Sequence, residues 1–472
     1  MQKYITRALL GALVLSGACK EGLSAPSQDN LVAGTQQPVQ NLVTGILATD
    51  RGQASAFSYL LYGETMARNS ARIDPNEPRY INELIAVPID NSDFIGSSGW
   101  TPGFQTARAS NQLLTGTAIT AMAPGDQAAV RGLIQTIKAL DYIRIMQLRD
   151  SLGSPIQSND PSAIDPFRTK GAVLAYVAAV LDSGYANLTA GGVDATEPIV
   201  LPSGYTTNGD YSKTANLALF NRGLAGEVAV MRGFDRQTPC ASCFATAITA
   251  LNLALGPSGA TPTVTQLGQG PYYEYNPAAP ESFSNPMVDN HIFLTTNFVN
   301  SIAAGDLRSS KIVKAAASSA TVSGLQLTMR DPITDPSITA NLTRTIPLRR
   351  LADFYLFRAQ AEAETGNLPG ATADVNAVHV AEGGLSPVAT FANVAAARQG
   401  ILYEMRYSLI YEGPFHINAL REYALLNKAY VTQAGMPTLT SDPGHANDPL
   451  QTAIPIPSGE VAARNGNVTP TP

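Results

Sequence analysis

The stretch that most constrains the fold is residues 346–385, IPLRRLADFYLFRAQAEAETGNLPGATADVNAVHVAEGGL, which reads end to end as one helix-turn-helix unit. Pro347 suits the opening turn of a first helix, where its missing N–H costs nothing. Leu348, Leu351 and Tyr355 then recur at helical spacing above a run of alanines. Arg349 with Asp353 and Arg358 with Glu362 stand four apart, a spacing that predicts ion pairs on the outer face. Gly366 offers the positive φ that ends a helix, and Ala371, Val375 and Val378 give the second helix a narrow apolar stripe. Ala359 and Ala371 are small enough for two antiparallel helices to approach closely.

Close antiparallel pairing through small residues is the packing logic of the tetratricopeptide unit, whose spacing Tyr355, Ala359, Gly366, Ala371 and Val375 fit. The rest of the chain supplies more helices. A helical pattern runs over residues 41–71 and again over 104–119. Asp126, after Pro124-Gly125, caps the longest amphipathic run, which extends to about residue 150. Asp165 and Pro166 open the next helix by the same cap-then-proline logic, and residues 214–231 and 243–255 give two more. Helices in succession without alternating strands predict an α-solenoid or bundle rather than a doubly wound sheet. From 256 to 345 Gly, Pro, Asn, Ser and Thr dominate, with a helix expected near 291–303 and a hairpin over 320–329. Residues 394–411 and 418–426 return to helix before a proline-rich tail. The expected fold class is mainly α, tetratricopeptide-like helical pairs in a solenoid or a bundle, with long irregular loops and little β structure.

The first 18 residues have the layout of an export signal: Lys3 and Arg7 in front, an apolar run over 8–15, then Ser-Gly-Ala before Cys19. That run is too short to span a bilayer permanently. Small residues directly before a cysteine resemble a bacterial lipoprotein signal, in which Cys19 becomes the lipidated first residue, although Leu15 stands four rather than three before it. Lys20-Glu21 is similar to the start of a surface-export tag. The expected organisation is a lipoprotein signal peptide over 1–18, a lipidated tether over 19–38 and a helical domain over 39–472, with a loop-rich insertion at about 256–345. Charged residues make up only 14% of the chain against about 25% in typical soluble domains, so long uncharged loops are expected. With a formal charge of −6 and no dense basic cluster, nucleic acid is excluded as a partner.

No catalytic constellation stands out. His291, His379, His416 and His445 show no HExxH spacing, and there is no Gly-x-Ser-x-Gly elbow, P-loop or Rossmann fingerprint. Acidic pairs such as Glu362 and Glu364 face different sides of a helix. The expectation is therefore a protein that is not an enzyme and needs no cofactor; structural calcium has no support in the sequence. Cys240 and Cys243, in TPCASCF, lack the second ligand pair that a closed zinc site needs and any thioredoxin-like context, so a short disulfide is expected in an exported protein.

The phrases IPLRRLADFYLFRAQAEAETGNLPGATADVNAV, ILYEMRYSLIYEG and IPIPSGEVAARN, in this order behind a lipoprotein signal, resemble the RagB/SusD family of outer-membrane nutrient-binding lipoproteins. KALDYIRIMQLRDSLGSPI and ANLALFNRGLAGEVAVMRG are similar to earlier helices of the family, so the resemblance covers nearly the whole mature chain. After Glu412-Gly413 the family continues with an arginine, an aromatic residue and an aspartate before a basic pair. Here Pro414, Phe415 and His416 follow, and only Arg421 of the pair remains. The resemblance implies a right-handed superhelix, lipid-anchored at the surface of a Gram-negative outer membrane as the lid of a SusC-like TonB-dependent transporter. Its implied ligand is an oligosaccharide, or another sizeable nutrient such as a peptide. Two other readings are a tetratricopeptide-type scaffold that binds an envelope protein, and a secreted glycan-active enzyme.

Sugar sites stack aromatic faces on pyranose rings, because C–H groups meet π faces there without desolvating hydroxyls. The candidates in loop-like sequence are Trp100, Tyr272, Tyr273 and Tyr275, followed by Tyr205 and Tyr211. Trp100 also lies where the family tends to have a packing tryptophan.

Overall fold

Apolar residues recur at helical spacing along most of the chain, and in the computed structural model most such runs are helices, each packed on the next. It describes residues 36–472 apart from 161, 191–194, 279–283, 315–319, 323–324, 328, 331–341 and 434–447. The signal peptide, Cys19, most of the 19–38 tether and His445 thus lie outside the described residues. The longer helices are α1 (Gln36–Ala54), α2 (Thr101–Thr115), α3 (Pro124–Arg149), α4 (Lys170–Ala190) and α5 (Thr214–Gly233). They continue as α6 (Ser242–Leu255), α7 (Leu351–Glu364), α8 (Leu368–Ala381), α9 (Val394–Ser408) and α10 (Phe415–Glu422). Each packs against its sequence neighbour, from α1 on α2 through to α9 on α10. This serial stacking is the mainly α, paired-helix architecture expected from the sequence.

Small residues set the closest approaches. A Cβ at Gly132 of α3 would come within 2.9 Å of the Gly184 carbonyl oxygen of α4, so backbone meets backbone at this crossing. Helix α4 is long and apolar enough to cross a membrane, yet Val173, Leu174, Val177, Leu181 and Leu188 are buried and the helix packs on α3 and α5, as in a core helix. Gly366, at φ +81°, sits just beyond the end of α7 as expected.

The short strands are β1 (Ser70–Arg72), β2 (Ser154–Pro155), β3 (Phe167–Arg168), β4 (Tyr272–Tyr273) and β5 (Ile292–Leu294). They are followed by β6 (Val313–Lys314), β7 (Ala320–Val322), β8 (Leu325–Leu327), β9 (Met329–Arg330) and β10 (Ile346–Pro347). A four-stranded antiparallel sheet in the order β1-β5-β9-β6 ties the insertion to the start of the domain. The expected hairpin is the β7–β8 pair, with Ala320 opposite Leu327.

Several local expectations are corrected. The helical pattern read over 41–71 is broken: α1 stops at Ala54, a wide turn spans Ser58–Tyr62, and the chain enters β1 at Ser70. Asp126 is not the cap of α3; Ala123 is, and Asp126 sits in the first turn, where a carboxylate still meets the positive end of the helix. Asp165 and Pro166 open no helix, because Phe167–Arg168 pairs as β3 with β2 and α4 begins only at Lys170. Around 291–303 the chain forms β5 and then a short turn of helix, Thr296–Asn300, because Ile292, Phe293 and Leu294 are all buried in the sheet. Pro347 lies in β10, and α7 starts four residues later.

Arg349, Asp353, Arg358 and Glu362 are all buried rather than outward. The hairpin has neighbours on both sides, so its charged groups reach across to other helices. Arg358 pairs with Asp374 of α8 through two bonds, Nε to Oδ2 at 2.6 Å and Nη2 to Oδ1 at 2.8 Å.

Candidate functional site

The face of α1 that carries Gln40, Thr44, Leu47, Ala48 and Arg51, at helical spacing, forms one wall of an open groove of about 760 Å³. The other wall is the loop 200–203, and the floor is Tyr273, Glu274 and Tyr275. Distant segments are clamped into this shape by specific bonds. The Gln40 amide donates to the Val200 carbonyl at 3.0 Å and accepts from the Val200 N–H at 2.7 Å. Arg51 Nη1 donates to the Glu274 carbonyl at 3.3 Å, and its guanidinium lies 5.7 Å from the centroid of the Tyr275 ring. Glu274 accepts from the hydroxyls of Ser203 and Thr207, which fixes the loop to the floor. Val200, 80% exposed, stands at the rim. Among the described residues of the lining only Arg51 and Glu274 are charged, and the others offer hydroxyls, amides and apolar surface; this composition accepts an uncharged polar ligand.

Beneath the floor lies a buried ionic cluster. Tyr273 donates its hydroxyl to Asp50, and Arg144 donates to Asp50 and, at 3.4 Å, to Asp141. Burial first, and the neighbouring Asp50 second, hold the Asp141 carboxyl well above the usual range. Burial also raises the Tyr273 hydroxyl well above its ordinary value and pushes Tyr275 up to about 12. Both hydroxyls therefore stay protonated, and the two tyrosines add no charge to the floor.

The four aromatic candidates do not present open ring faces. Trp100 is 5% exposed, with its ring stacked on Phe167 at 5.9 Å and tilted on Phe104 at 4.7 Å; its Nε1 donates to Glu460 at 3.3 Å. It packs the start of α2. Tyr272 is buried in β4 opposite Pro347 of β10 and donates its hydroxyl to the Gly268 carbonyl at 2.7 Å. Tyr273 and Tyr275 are brought together at the groove floor, but at 2% and 3% exposure they offer little ring surface for stacking. Tyr205 and Tyr211 are buried too. The physical reason is common to all: a large ring gains more by leaving water than a short loop can forgo, and the polar tips of Trp100, Tyr272 and Tyr273 find partners inside. Sequence reasoning missed the α1 face, although the 40-44-48 spacing of small and polar residues marks a strip that no core would fill.

Cys240 and Cys243 are joined as a disulfide at the start of α6, with Cα atoms 5.3 Å apart. Among the described residues no three His, Cys, Asp or Glu side chains converge as a metal site. Arg421 lies in α10, in the corner after Glu412-Gly413. Arg421, 3% exposed, donates one nitrogen to the Gln147 carbonyl and to Asn418, both at 2.7 Å, while Nε and Nη2 have no partner among the described residues.

No protein-family sequence model and no curated protein matches the chain. Solved structures do match. A SusD superfamily protein from Bacteroides thetaiotaomicron superposes with a TM-score of 0.63 at 16% identity, over 90% of this chain and 98% of its own. The NanU protein of B. fragilis gives 0.62 at 13% identity, over 92% and 95%. A SusD-like carbohydrate binding protein from Bacteroides vulgatus gives 0.57 at 16% identity, over 80% and 83%. At such coverage the likeness extends over the whole helical stack, and the chain has the SusD fold.

Proposed function

We propose that this protein is a cell-surface binding lipoprotein that captures a glycan in the groove between α1 and the 200–203 loop and delivers it to a SusC-like TonB-dependent outer-membrane transporter. The observation that carries the reading is the groove itself: a cavity of ligand size, lined by hydroxyls, amides and apolar side chains, on a fold shared with a protein described as carbohydrate binding. Such a lining pairs with sugar hydroxyls and C–H faces without burying charge. Tyr275 and Tyr273 set the floor on which the ligand rests. In this reading the protein binds without chemical change: among the described residues the groove brings together one carboxylate, Glu274, already occupied by two hydroxyls. Cys19 carries the lipid that holds the chain at the membrane, and residues 19–38 are its tether. Calorimetric screening of plant, algal and microbial polysaccharides and of peptides tests the reading, with pull-down of the purified transporter in parallel. A peptide ligand in place of a glycan would change the ligand class and keep the capture role; turnover of any ligand would refute it.

A further inference from the structure

A second cavity, of about 400 Å³, opens where α9 meets α10 and the stretch around residues 425–430. Its size falls within the roughly 300–1,000 Å³ of small-molecule sites. Unlike the groove, it carries a cation with no counter-charge. Arg406 is half-buried, and its guanidinium is fixed by two neutral acceptors: Nε donates to Asn69 Oδ1 at 2.8 Å and Nη2 to Asn297 Oδ1 at 2.7 Å. The same group lies 5.3 Å from the Phe298 ring centroid and 5.5 Å from that of Tyr407. Four neighbours thus hold the plane in one orientation, while Nη1 has no hydrogen-bond partner among the described residues and no described carboxylate lies within ion-pair distance.

Glu64, the acid that shares Asn69 with it, does not neutralise it. Glu64 is buried, accepts from Asn69 Nδ2 at 2.6 Å, and is pushed up to about 8 chiefly by burial, so at pH 7 it is largely protonated. His416, 2.9 Å from the same Asn69 nitrogen, is kept neutral because burial and then the Arg406 charge drive its pKa well below the ordinary value. Asn69 therefore orients the arginine without cancelling its charge. Around it the cavity offers the exposed side chains of Ser301, Gln399 and Asn427, which can donate to and accept from hydroxyls.

We infer that this cavity binds the carboxylate of an acidic saccharide of the hexuronic acid class, with Arg406 as the oriented charge that receives it. The free end of a fixed planar guanidinium matches the two oxygens of a carboxylate, and a single positive charge balances a single negative one. The saccharide class rests on the glycan-binding reading above; the demand for an anion rests on Arg406 alone.

The test is calorimetry of the full mature chain with glucuronic and galacturonic acid, their neutral parent sugars, and acetate. Expected is saturable binding of a hexuronic acid at least about tenfold tighter than of its parent sugar or of acetate, weakening as salt is raised. Arg406→Gln should lose at least about tenfold, the effect of a bond to a charged group. Should that variant fail to fold, Asn427→Trp, at an exposed rim position, fills the cavity from outside and should abolish the binding equally. No saturable hexuronate binding, binding no tighter than that of the neutral sugars or acetate, or binding unchanged in both variants would overturn the inference. If hexuronates fail while a neutral glycan still binds a groove that Ala48→Trp blocks, this inference falls alone; if no saccharide binds at all, the reading beneath it falls as well.

Discussion

Arg349 and Glu227 form a two-pronged ion pair with neither side chain exposed, Nε to Oε2 and Nη2 to Oε1 both at 2.9 Å. Arg349 also donates to Tyr59 at 2.8 Å and to Gln147 at 3.2 Å, and lies 4.8 Å from the Phe415 ring centroid. One guanidinium therefore ties the residues before α7 to α5, α3 and the turn after α1. Removing one partner leaves the other buried and uncompensated, so Glu227→Ala should destabilise the fold by about 3–5 kcal/mol in urea unfolding. A loss below about 1 kcal/mol would show that the pair is dispensable.

Trp100 and Tyr272 are predicted to support the fold rather than to hold ligand. Trp100→Ala should cost about 3–5 kcal/mol of stability, as for other buried large aromatics, and leave glycan affinity unchanged in whatever fraction folds. Weakened binding by a variant of unchanged thermal stability would reverse the assignment.

The hairpin over 346–385 was legible because its signals are local: Gly366 marks a turn, and Ala359 and Ala371 mark a close helix contact whatever surrounds them. Its charges were not. The four-residue spacing of Arg349 and Asp353 describes one helix in isolation, whereas Arg349 is taken up by Glu227, more than a hundred positions away, and Asp353 accepts instead from the Arg350 N–H. Aromatic rings in loop-like sequence could not be sorted for the same reason, since composition cannot tell a ring face that meets ligand from one that meets Phe167. The groove joins Gln40, Val200 and Tyr275 from three distant segments, and no pattern in the sequence announces that meeting.

Glu64 gives a pH signature. Its folded pKa is raised from 4.5 to about 8, chiefly by burial. Between those values the folded state holds a proton that the unfolded chain has released, so the contribution of Glu64 is fully present below about pH 4.5 and is lost as pH rises through about 8, at up to about 1.4 kcal/mol per pH unit. Glu64→Gln should therefore gain on the wild type as pH goes from 5 to 8 in denaturant titrations. Parallel pH profiles for the two proteins would contradict this.

Reducing the Cys240–Cys243 bond should matter little. It closes a loop of only three residues' separation, so Cys240→Ser with Cys243→Ser should cost at most about 2–3 kcal/mol. Two free thiols by mass spectrometry of the natively exported protein would contradict the disulfide.

Lipidation of Cys19 predicts that Cys19→Ala releases the protein from the membrane fraction. Continued membrane association with unchanged processing would refute it.

The central claim is that the groove beside α1 holds the ligand. Ala48 is exposed on its wall, so Ala48→Trp fills the groove without disturbing the core. Calorimetry of wild type and Ala48→Trp with the best neutral glycan from the screen is the direct measurement. The account predicts saturable binding by wild type that the variant loses by at least about tenfold at equal thermal stability; equal affinity of the two proteins would contradict it.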